Sequence, residues 1–437
     1  MSKRSLGTAL VALAVAVLAC TPTFADSQAR IVRLSNVEGT VVADRNTGQG
    51  YENAFLNMPV VQGMKVATKD TGRAEIEFED GSTVRIGPKS TIEFSALGLR
   101  DSGARFSTMI VEVGLAYVNY TDSHKGDEFT VLFQNETVHP QEAAHFRVDV
   151  QATEVVLATF SGNLKVEGPS GDVEVGKNRS ATFDLAENNK FTVAKDIEEL
   201  PLDAWDKSQS KYERSYANKG SYNNYPYGYG VSDLNYYGNY YNVPGYGTMW
   251  QPYFTGVGWD PFMDGAWMFY PGAGYMWVSS YPWGWMPYRY GNWAFVPGYG
   301  WMWAPGNFNT WYPVPPVKNP PKRFNAPQPP VRGTATVAVG RSFVAASTAF
   351  PQHVLVKNGS AGIGIPRGTV SNLNKVSREV QQNGMTTVRT TPPSRTFGGS
   401  SAGGWGAPSS SGHMSGGSSG HTGGSSGHSS APPGRSR

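Results

Sequence analysis

The stretch AEIEFEDGSTVRI, residues 74–86, carries the strongest fold signal in this chain of 437 residues. Apolar side chains at positions 74, 76 and 78 alternate with glutamates, and Asp80-Gly81 separates this run from Val84 and Ile86. Two runs of period two that meet at Asp-Gly predict a β-hairpin, because this turn requires residues that adopt positive φ.

Glu75, Glu77 and Glu79 lie on one face of the first strand of this hairpin. Three carboxylates on one face are compatible with a cation site. A solvated face explains them without a ligand, because antiparallel sheets commonly pack one face on the core and leave the other in water. We therefore expect these three glutamates to be exposed to solvent.

The same alternation continues across residues 30–195, where glycine-containing turns separate short apolar runs. The runs include Ile92 and Phe94, Ile110 to Val113, Phe129 to Phe133, Phe146 to Val150, Val155 to Leu157, Leu164 to Val166 and Val173 to Val175. Regularly spaced short strands predict an all-β fold, either a sandwich or roll of short antiparallel strands or a short solenoid. A segment of this length is long enough to bury a hydrophobic core.

A helical connector is predicted at residues 196–220. Leu202, Trp205, Tyr212 and Tyr216 follow one another at spacings of three, seven and four residues, which places them on one helical stripe. The charged side chains of the segment fall elsewhere on the helix, at Asp203, Lys207, Lys211 and Glu213. We expect a helix from Leu202 to Tyr216.

Residues 221–312 form a second zone, rich in Trp, Tyr and Gly, with a repeat of about 26 residues. Ten of the twelve Trp lie between residues 221 and 317, where only four residues are charged. The unit is clearest in WAFVPGYGWMW at 293–303; a matching unit lies 26 residues upstream, and a degenerate one 27 residues before that. Alternating aromatics suit a pleated surface and Pro-Gly supplies a turn, so this zone predicts aromatic-rich β-hairpins.

Three segments of biased composition follow the repeats. Residues 313–332 predict a proline-rich linker, residues 333–395 a weakly ordered basic segment, and residues 396–437 a disordered Gly/Ser/His tail. Residues 321–437 hold 12 Lys and Arg against one acid, so their net charge is +11 and that of residues 1–320 is −8. In an exported protein, acidic polymers or phospholipid headgroups, and not nucleic acid, are the expected counterions.

Residues 1–25 are organised like a secretory signal peptide. A basic start at Lys3-Arg4 precedes an apolar run at 10–19, and a small-x-small site ends at Ala25. Cleavage there is favoured over a lipobox interpretation, in which Cys20 would be the lipidated first residue and a lipid anchor. No later apolar run is long enough to span a bilayer. Both interpretations predict an exported protein, periplasmic or associated with the outer envelope.

A series of short turn-and-strand motifs runs from residue 80 to residue 176. They are DGSTVRI at 80–86, PKSTI at 88–92, VEVGLAYV at 111–118, FTV at 129–131, FRV at 146–148, FSGNLKV at 160–166 and VG at 175–176. In combination they resemble the FecR-type periplasmic domain. The aromatic repeats resemble a domain of unknown function that is often found downstream of FecR-like domains in exported bacterial proteins.

Signalling members of the FecR family carry a cytoplasmic anti-sigma segment and a transmembrane helix, and neither is recognised in this sequence. The resemblance therefore implies the extracytoplasmic module without the signalling arm.

Motifs that would indicate catalysis or metal binding have simpler explanations in this chain. GGSSG at 416–420 and at 423–427 matches the nucleophile pattern of hydrolases, but both copies lie in the predicted disordered tail. The histidines lack partners at motif spacing: His139, His145, His413, His421 and His428. The glycines at 362, 364 and 368 do not keep the spacing of a nucleotide loop. The single cysteine excludes a Cys-rich metal site, so we expect no catalytic residue, cofactor or metal.

The aromatic zone offers three interpretations. Its rings form a β-hairpin core, a protein-binding surface, or a stacking surface for sugars. We expect Trp293 and Trp303 to be core. The candidate interaction surface consists of Trp259, Trp285, Tyr288, Arg289, Tyr290 and Tyr299. Overall the sequence predicts an exported, non-enzymatic protein that binds or scaffolds envelope proteins; the alternative is a module that binds cell-wall glycan or peptidoglycan through the repeats.

Overall fold

A computed structural model describes residues 30–122, 124–222, 224–225, 228–306, 314–331, 337–340 and 352–391. The predicted signal peptide with Cys20, and the tail from residue 396, lie outside the described residues. Strands dominate the described chain, and the all-β prediction is confirmed. No helix within the described residues is long and apolar enough to cross a membrane.

Seventeen strands form one continuous sheet in the N-terminal part of the chain. They are β1 (Val32–Glu38), β2 (Val41–Asp44), β3 (Tyr51–Asn53), β4 (Pro59–Val60), β5 (Met64–Thr68), β6 (Arg73–Glu77), β7 (Thr83–Ile86), β8 (Thr91–Leu99), β9 (Arg105–Tyr120), β10 (Glu128–Phe133), β11 (Glu136–Pro140), β12 (Ala144–Val150), β13 (Glu154–Ser161), β14 (Asn163–Glu167), β15 (Val173–Gly176), β16 (Arg179–Asp184) and β17 (Lys190–Ala194). The predicted hairpin is β6–β7, in which Ile76 lies opposite Val84 and Gly81 has a φ of 86°.

The continuous sheet folds into two layers that share strand β9. Sheet A has the order β4-β1-β6-β7-β9-β12-β13-β16-β17. Sheet B has the order β3-β2-β5-β8-β9-β10-β11-β14-β15. Neighbouring strands are antiparallel except β9 and β10, which are parallel. The fold is therefore a two-layered β structure of mainly antiparallel strands, as the alternation predicts.

Strand β9 passes from one layer to the other at Gly114. Residues 105–113 of this strand pair with β8 in sheet B, and residues 114–120 pair with β12 in sheet A. Gly114 has a φ of 84°, and a Cβ atom there would lie 2.3 Å from Oγ of Ser90. Only glycine tolerates both the positive φ and the close approach, so this residue permits the change of layer.

The core lies between the two layers and is closed by aromatic contacts across them. Phe78 of sheet A packs on Phe94 of sheet B with ring centroids 6.4 Å apart, and Phe133 of sheet B packs on Phe183 of sheet A at 5.3 Å. The apolar positions of the alternating runs, such as Ile76, are fully buried in this core. Their polar neighbours consequently point away from it, to the outer faces of the two sheets.

Three helices occur in the described residues: α1 (Asp203–Tyr216), α2 (Val231–Tyr237) and α3 (Leu373–Asn383). Helix α1 confirms the helix predicted at Leu202–Tyr216 to within one residue. Trp205 and Tyr212 of its predicted apolar stripe are buried. Helix α1 contacts the outer face of sheet A, and α2 leads directly into the aromatic repeats.

The aromatic repeats form three β-hairpins. The strands are β18 (Gly238–Val243) and β19 (Gly247–Pro252), β20 (Asp264–Tyr270) and β21 (Gly274–Ser279), and β22 (Asn292–Val296) and β23 (Gly300–Ala304), with a short 3₁₀ helix at Met286–Tyr288. Each turn places two glycines at φ between 78° and 83°, so the repeat has the same backbone geometry three times. Equivalent cross-strand pairs are Tyr240 with Trp250, Trp267 with Trp277, and Trp293 with Trp303.

The predicted linker and basic segment contribute ordered elements where the structure describes them. These are β24 (Val317–Lys318), β25 (Val337–Gly340), β26 (His353–Lys357) and β27 (Met385–Arg389), together with helix α3. Strands β24 and β25 pair with β22 and β20, and Phe324 packs on Trp301 with ring centroids 4.6 Å apart. Leu373, Val376 and Val380 form the buried stripe of α3. The described part of 314–391 therefore packs on the rest of the chain.

Candidate functional site

A network of buried ion pairs covers the outer face of sheet A. Glu75 and Glu77 belong to it, whereas Glu79 forms a separate buried pair with Arg30 at 2.7 Å. The three glutamates are 0%, 5% and 7% exposed, so the expectation that they are solvated is wrong. Helix α1, helix α2 and residue Arg367 cover Glu75 and Glu77 and supply or share their partners. The outward side chains of the neighbouring strands that join the network are Arg33, Arg85, Tyr117, His145 and Arg147.

Arg85 of β7 connects sheet A to helix α1. Its Nε donates to Glu75 Oε2 at 2.8 Å, and its Nη2 donates to Glu213 Oε2 at 2.8 Å. Its Nη1 donates to Asp206 Oδ1 at 2.6 Å and to Ser210 Oγ at 2.8 Å. One fully buried guanidinium therefore bonds four side chains, three of them on a single helix face.

A second guanidinium, that of Arg147 on β12, fixes the first turn of helix α1. Its Nη1 donates to Asp203 Oδ1 at 2.7 Å, and the hydroxyl of Tyr117 donates to the same oxygen at 2.7 Å. His145 Nε2 lies 2.8 Å from Asp206 Oδ2. Helix α1 is thus held to sheet A along its whole length by carboxylates that face arginines of the sheet.

Asp233 of helix α2 connects the sheet to two further parts of the chain. Arg33 Nη2 of β1 lies 2.6 Å from Asp233 Oδ2, and Arg367 Nε lies 2.9 Å from Asp233 Oδ1. Arg33 also bonds Glu77 at 3.1 Å, and Arg367 bonds Glu75 at 2.6 Å. Arg367, 292 residues from Glu75 in sequence, therefore closes the network between sheet A, α2 and the segment at 352–391.

The carboxyl groups of the network have strongly different pKa values. Burial raises the pKa of Glu77 to about 7, because Arg33 and Arg367 only partly offset the loss of hydration. Burial also raises the pKa of Glu213 well above its usual range, and the neighbouring Glu75 raises it further. For Glu75 burial acts in the same direction, but Arg367 and Arg85 outweigh it and lower the pKa.

Asp206 and Asp233 behave like Glu75. Burial acts to raise the pKa of Asp206, but the effects of His145 and Arg85 outweigh that of burial, so the pKa is lowered. Arg367 and Arg33 likewise outweigh burial at Asp233 and lower its pKa. The network therefore contains carboxylates held ionised by guanidinium groups next to carboxyl groups that favour the protonated form. Such an arrangement holds chain segments together. Its strength depends on pH, because its carboxyl groups titrate while arginine stays charged throughout the physiological range.

The aromatic hairpins meet in a second buried cluster, centred on Trp283. The Trp283 ring stacks on Tyr281 at 4.9 Å and contacts Trp250 edge-on at 4.9 Å. Its Nε1 donates to the backbone oxygen of Ala361 at 2.7 Å. Trp293 and Trp303 are fully buried here, as expected for core residues. The cluster is continuous with the core of the β layers, so most of these rings are packing residues.

Of the six residues expected to form an interaction surface, only Tyr299 is exposed, at 46%. The other five are buried: Trp259, Trp285, Tyr288, Arg289 and Tyr290. Their expected exposure is therefore wrong. For four of them the reason is that the segment between the second and third hairpins passes through the interior, where the Tyr288 hydroxyl donates to the backbone oxygen of Pro261. Trp259, which precedes the second hairpin, packs on Trp283 with ring centroids 6.1 Å apart.

Arg289 is the most unusual of these buried residues. Its Nη1 donates to the backbone oxygen of Trp277 at 2.8 Å, and its guanidinium lies 4.9 Å from the centre of the Trp285 ring. Burial lowers the pKa of Arg289 to about 10. A cation–π contact in a desolvated site is worth about 2 kcal/mol, which offsets part of the cost of burying the Arg289 charge.

Exposed aromatic side chains lie at or near the hairpin turns. Tyr246 and Tyr299 lie in the first and third turns, Phe269 lies next to the second, and Tyr241 lies on strand β18. These four residues are exposed by more than a third of their surface. These four residues are therefore the best placed in the described repeats to stack on a ring-shaped ligand.

Sequence reasoning missed the network, although a signal for it was present. Asp203, Asp206, Ser210 and Glu213 follow one another at spacings of three, four and three residues, which is the spacing of one helix face. Arg85 and Arg147 are long cations at outward positions of strands. The signal for Arg367 is absent, because nothing local to residues 360–370 indicates a partner in β6.

Among the described residues, none of the remaining catalytic or metal-ligating candidates from the sequence forms a site. The serines and histidines of the tail lie outside the described residues. His139 is on β11 of sheet B, and His145 pairs with Asp206. Within the residues that the structure describes, no group of three or more His, Cys, Asp and Glu side chains is arranged to hold a metal ion.

Comparisons with known structures return two crystal structures of a proposed anti-sigma factor from Parabacteroides distasonis ATCC 8503. The one at 1.65 Å resolution is 16% identical with a TM-score of 0.27, covering 32% of this chain and 63% of the other. The one at 2.50 Å is 14% identical with a TM-score of 0.27, covering 41% of this chain and 94% of the other. The chain thus spans less than two thirds of the first structure. No curated protein sequence matches.

Two protein-family models match separate parts of the chain. The model described as FecR protein matches residues 64–165, which lie inside the two β layers. The model described as a family of unknown function, DUF6600, matches residues 231–319, which include helix α2 and the three aromatic hairpins. Both resemblances stated from the sequence are confirmed: the chain carries a FecR-type domain followed by a DUF6600 domain.

Proposed function

We propose that the protein is an exported, non-enzymatic envelope protein in which the FecR-type domain serves as a binding and scaffolding module linked to extracytoplasmic sensing. The observation that carries this proposal is the buried network on sheet A. Three segments separated in sequence, α1, α2 and the loop with Arg367, bind one face of the FecR-type domain through guanidinium–carboxylate pairs. The domain already works as a docking platform for its own chain.

The chemistry of the network supports a binding role and not a catalytic one. The acids with lowered pKa values, Glu75, Asp206 and Asp233, each bond one or two arginines at 2.6–2.9 Å. A catalytic acid or base needs access to substrate and a pKa near the working pH. Groups fully buried under a helix and saturated by arginine lack that access, so they act through adhesion between segments.

A pull-down of the mature protein from an envelope extract tests this proposal, with insoluble peptidoglycan run in parallel. Retention of envelope proteins by the full chain, at stoichiometric yield and resistant to moderate salt, is the expected result. Co-sedimentation with the sacculus and no protein partner would favour the glycan alternative. Absence of retention in both arms would contradict a binding role.

The second candidate function, glycan or peptidoglycan binding, is favoured by the exposed aromatics at the hairpin turns. A Tyr299→Ala variant is expected to lower the affinity for peptidoglycan by about fivefold if these rings stack on sugars, since one aromatic contact is worth about 1 kcal/mol. Tyr51→Ala is the matched control, because Tyr51 is exposed to a similar degree but lies on β3 of the FecR-type domain. Equal sedimentation of both variants would reject stacking at Tyr299.

A further inference from the structure

The network on sheet A contains more carboxyl groups than arginines. Three guanidinium groups, those of Arg33, Arg85 and Arg367, face five carboxyl groups: Glu75 and Glu77 of β6, Asp206 and Glu213 of α1, and Asp233 of α2. Arg147 is matched separately by Asp203. His145 adds a positive charge only when it is protonated. Two carboxyl groups of the connected cluster are therefore left without a cation of their own.

The contact between Glu213 and Glu75 shows where one proton resides. Glu213 Oε2 accepts from Arg85 Nη2, whereas no donor among the described residues reaches the buried Glu213 Oε1. The two carboxyl groups are neighbours, because Glu75 Oε2 accepts from Nε and Glu213 Oε2 accepts from Nη2 of the same guanidinium, that of Arg85. Glu75 is already saturated by Arg85, Arg367 and Ser35, so a bond between the two carboxyl groups requires that Glu213 carries the proton and donates it.

Glu77 holds the second uncompensated position. Its two oxygens accept from the backbone N–H of Gly230 at 3.1 Å each, and Arg33 Nη1 donates to Oε2 at 3.1 Å. The other charged groups that act on it are Arg367, Asp233 and Glu75. Glu77 thus lies next to the start of helix α2. Glu213, on helix α1, lies next to Glu75 on strand β6.

We propose that helix α1 is a proton-operated latch on the FecR-type domain: it is held on sheet A in mild acid by the proton between Glu213 and Glu75, and it loosens as the pH rises through neutrality. Loss of that proton places two carboxylates next to each other in a buried site. Ionisation of Glu77 changes the cluster charge in the same direction. The latch lies between the FecR-type domain and the elements that lead to the aromatic hairpins.

The direction follows from the signs of the pKa changes. A carboxyl group whose pKa is raised on folding stabilises the folded state fully below its usual pKa of about 4.5, and this contribution is lost as the pH rises through the raised value. Glu77, with a pKa of about 7, and Glu213 belong to this class. Glu75, Asp206 and Asp233 have lowered pKa values, and their contribution is lost only as the pH falls below about 4.

Hydrogen exchange of the full chain tests the latch. The observable is the protection of backbone amides in helix α1 at pH 5 and at pH 8, corrected for the intrinsic exchange rate. The native chain is expected to lose protection in α1 by about tenfold or more at pH 8, as one pKa unit corresponds to a tenfold change in population. Glu213→Gln, which keeps a donor toward Glu75, is expected to abolish most of this difference. Glu93→Gln on sheet B is the matched control.

A second variant is expected to shift the pH response without abolishing it. Arg367→Gln removes a cation that lowers the pKa of Glu213, so Glu213 keeps its proton to a higher pH and α1 is expected to loosen at a higher pH than in the native chain. Arg367→Lys keeps the charge and is expected to restore the native midpoint in large part. A merely structural role would destabilise α1 at both pH values without moving the midpoint.

Two results would overturn the latch. One is equal protection of α1 in the native chain at pH 5 and pH 8. The other is an unchanged pH difference in Glu213→Gln, because that variant cannot lose the proton. If Glu213→Gln does not fold, Arg367→Gln is measured instead, and an unmoved midpoint of α1 protection in that variant counts against the proposal in the same way.

Discussion

The outer faces of sheet A and sheet B arise from the same sequence pattern and end in opposite environments. On sheet A, Arg85 is 1% exposed and bonds Glu75 under helix α1. On sheet B, Lys65 bonds Glu93 at 3.1 Å and also Glu112, with all three side chains between a quarter and a third exposed. Period-two alternation therefore tells which side chains point away from the core. It does not tell whether water or another segment meets them.

The choice of cation follows this difference. Sheet A presents arginines to the covering helix, and a guanidinium has five N–H donors that bond several carboxylates at fixed geometry. Sheet B presents Lys65, whose ammonium is strongly hydrated and suits a surface. An arginine at an outward strand position, with acids at helical spacing elsewhere in the chain, is the sequence feature that distinguishes a covered face from a solvated one.

The largest effect is expected when helix α1, which covers the outer face of sheet A, is removed. A fragment of residues 30–195 is expected to fold, with a β-type circular dichroism spectrum and cooperative melting, because its core lies between the two layers. It is expected to melt roughly 5 °C below a fragment of residues 30–220, since helix α1 buries Trp205 against Glu38 and Arg73 and one such side chain contributes about 1.5–3 kcal/mol. Thermal melting at pH 6 checks both fragments.

Equal melting temperatures of the two fragments would show that α1 does not stabilise the sheet. A coil or helical spectrum for residues 30–195 would contradict the independence of the two layers.

Removal of the Arg85 guanidinium from the network is expected to have the next largest effect on stability. Arg85→Met keeps the length of the side chain and removes its charge, which leaves Glu75, Asp206 and Glu213 without their common partner. Removal of one partner of a buried ion pair costs about 3–5 kcal/mol, because the remaining charge stays desolvated. Chemical denaturation of the full chain at pH 6 is the measurement. A loss below 1 kcal/mol would mean that water enters the network and solvates these acids.

The aromatic hairpins allow the same comparison between a buried and an exposed position, here with aromatic side chains at both. Trp303→Ala is expected to lose about 3–5 kcal/mol, because Trp303 is fully buried and its Nε1 donates to the backbone oxygen of Tyr290 at 2.8 Å. Tyr299→Ala, four residues away and exposed, is expected to change stability by less than about 0.5 kcal/mol. Urea denaturation of both variants checks the pair. Similar losses at the two positions would show that burial does not separate core rings from surface rings here.

Local patterns predicted the elements, and long-range contacts decided the environments. The hairpin at Asp80-Gly81, helix α1 and the aromatic hairpins follow from periodicity and turn chemistry, which act within a few residues. The burial of Glu75 depends on Asp206 and Arg367, more than 100 and almost 300 residues away in sequence, and no local pattern specifies such pairing. A charged neighbour in sequence suggests that Tyr288 is on the surface, but that neighbour, Arg289, is itself buried among aromatic rings.

An effect much smaller than that of Arg85→Met is expected on the solvated face of sheet B. Lys65→Met removes both ion pairs with Glu93 and Glu112, and the hydrogen bonds that Lys65 donates to these acids raise the pKa of Lys65. Exposed pairs nevertheless contribute only about 0–1 kcal/mol, because water solvates the separated charges and salt screens them. The expected loss of stability is therefore below about 1 kcal/mol, and it should shrink further in 0.5 M salt. Chemical denaturation alongside Arg85→Met makes the comparison direct, since both variants place methionine at an outward strand position. A loss at Lys65 as large as that at Arg85 would mean that the outer face of sheet B is also covered in solution, by a partner that the chain itself does not supply.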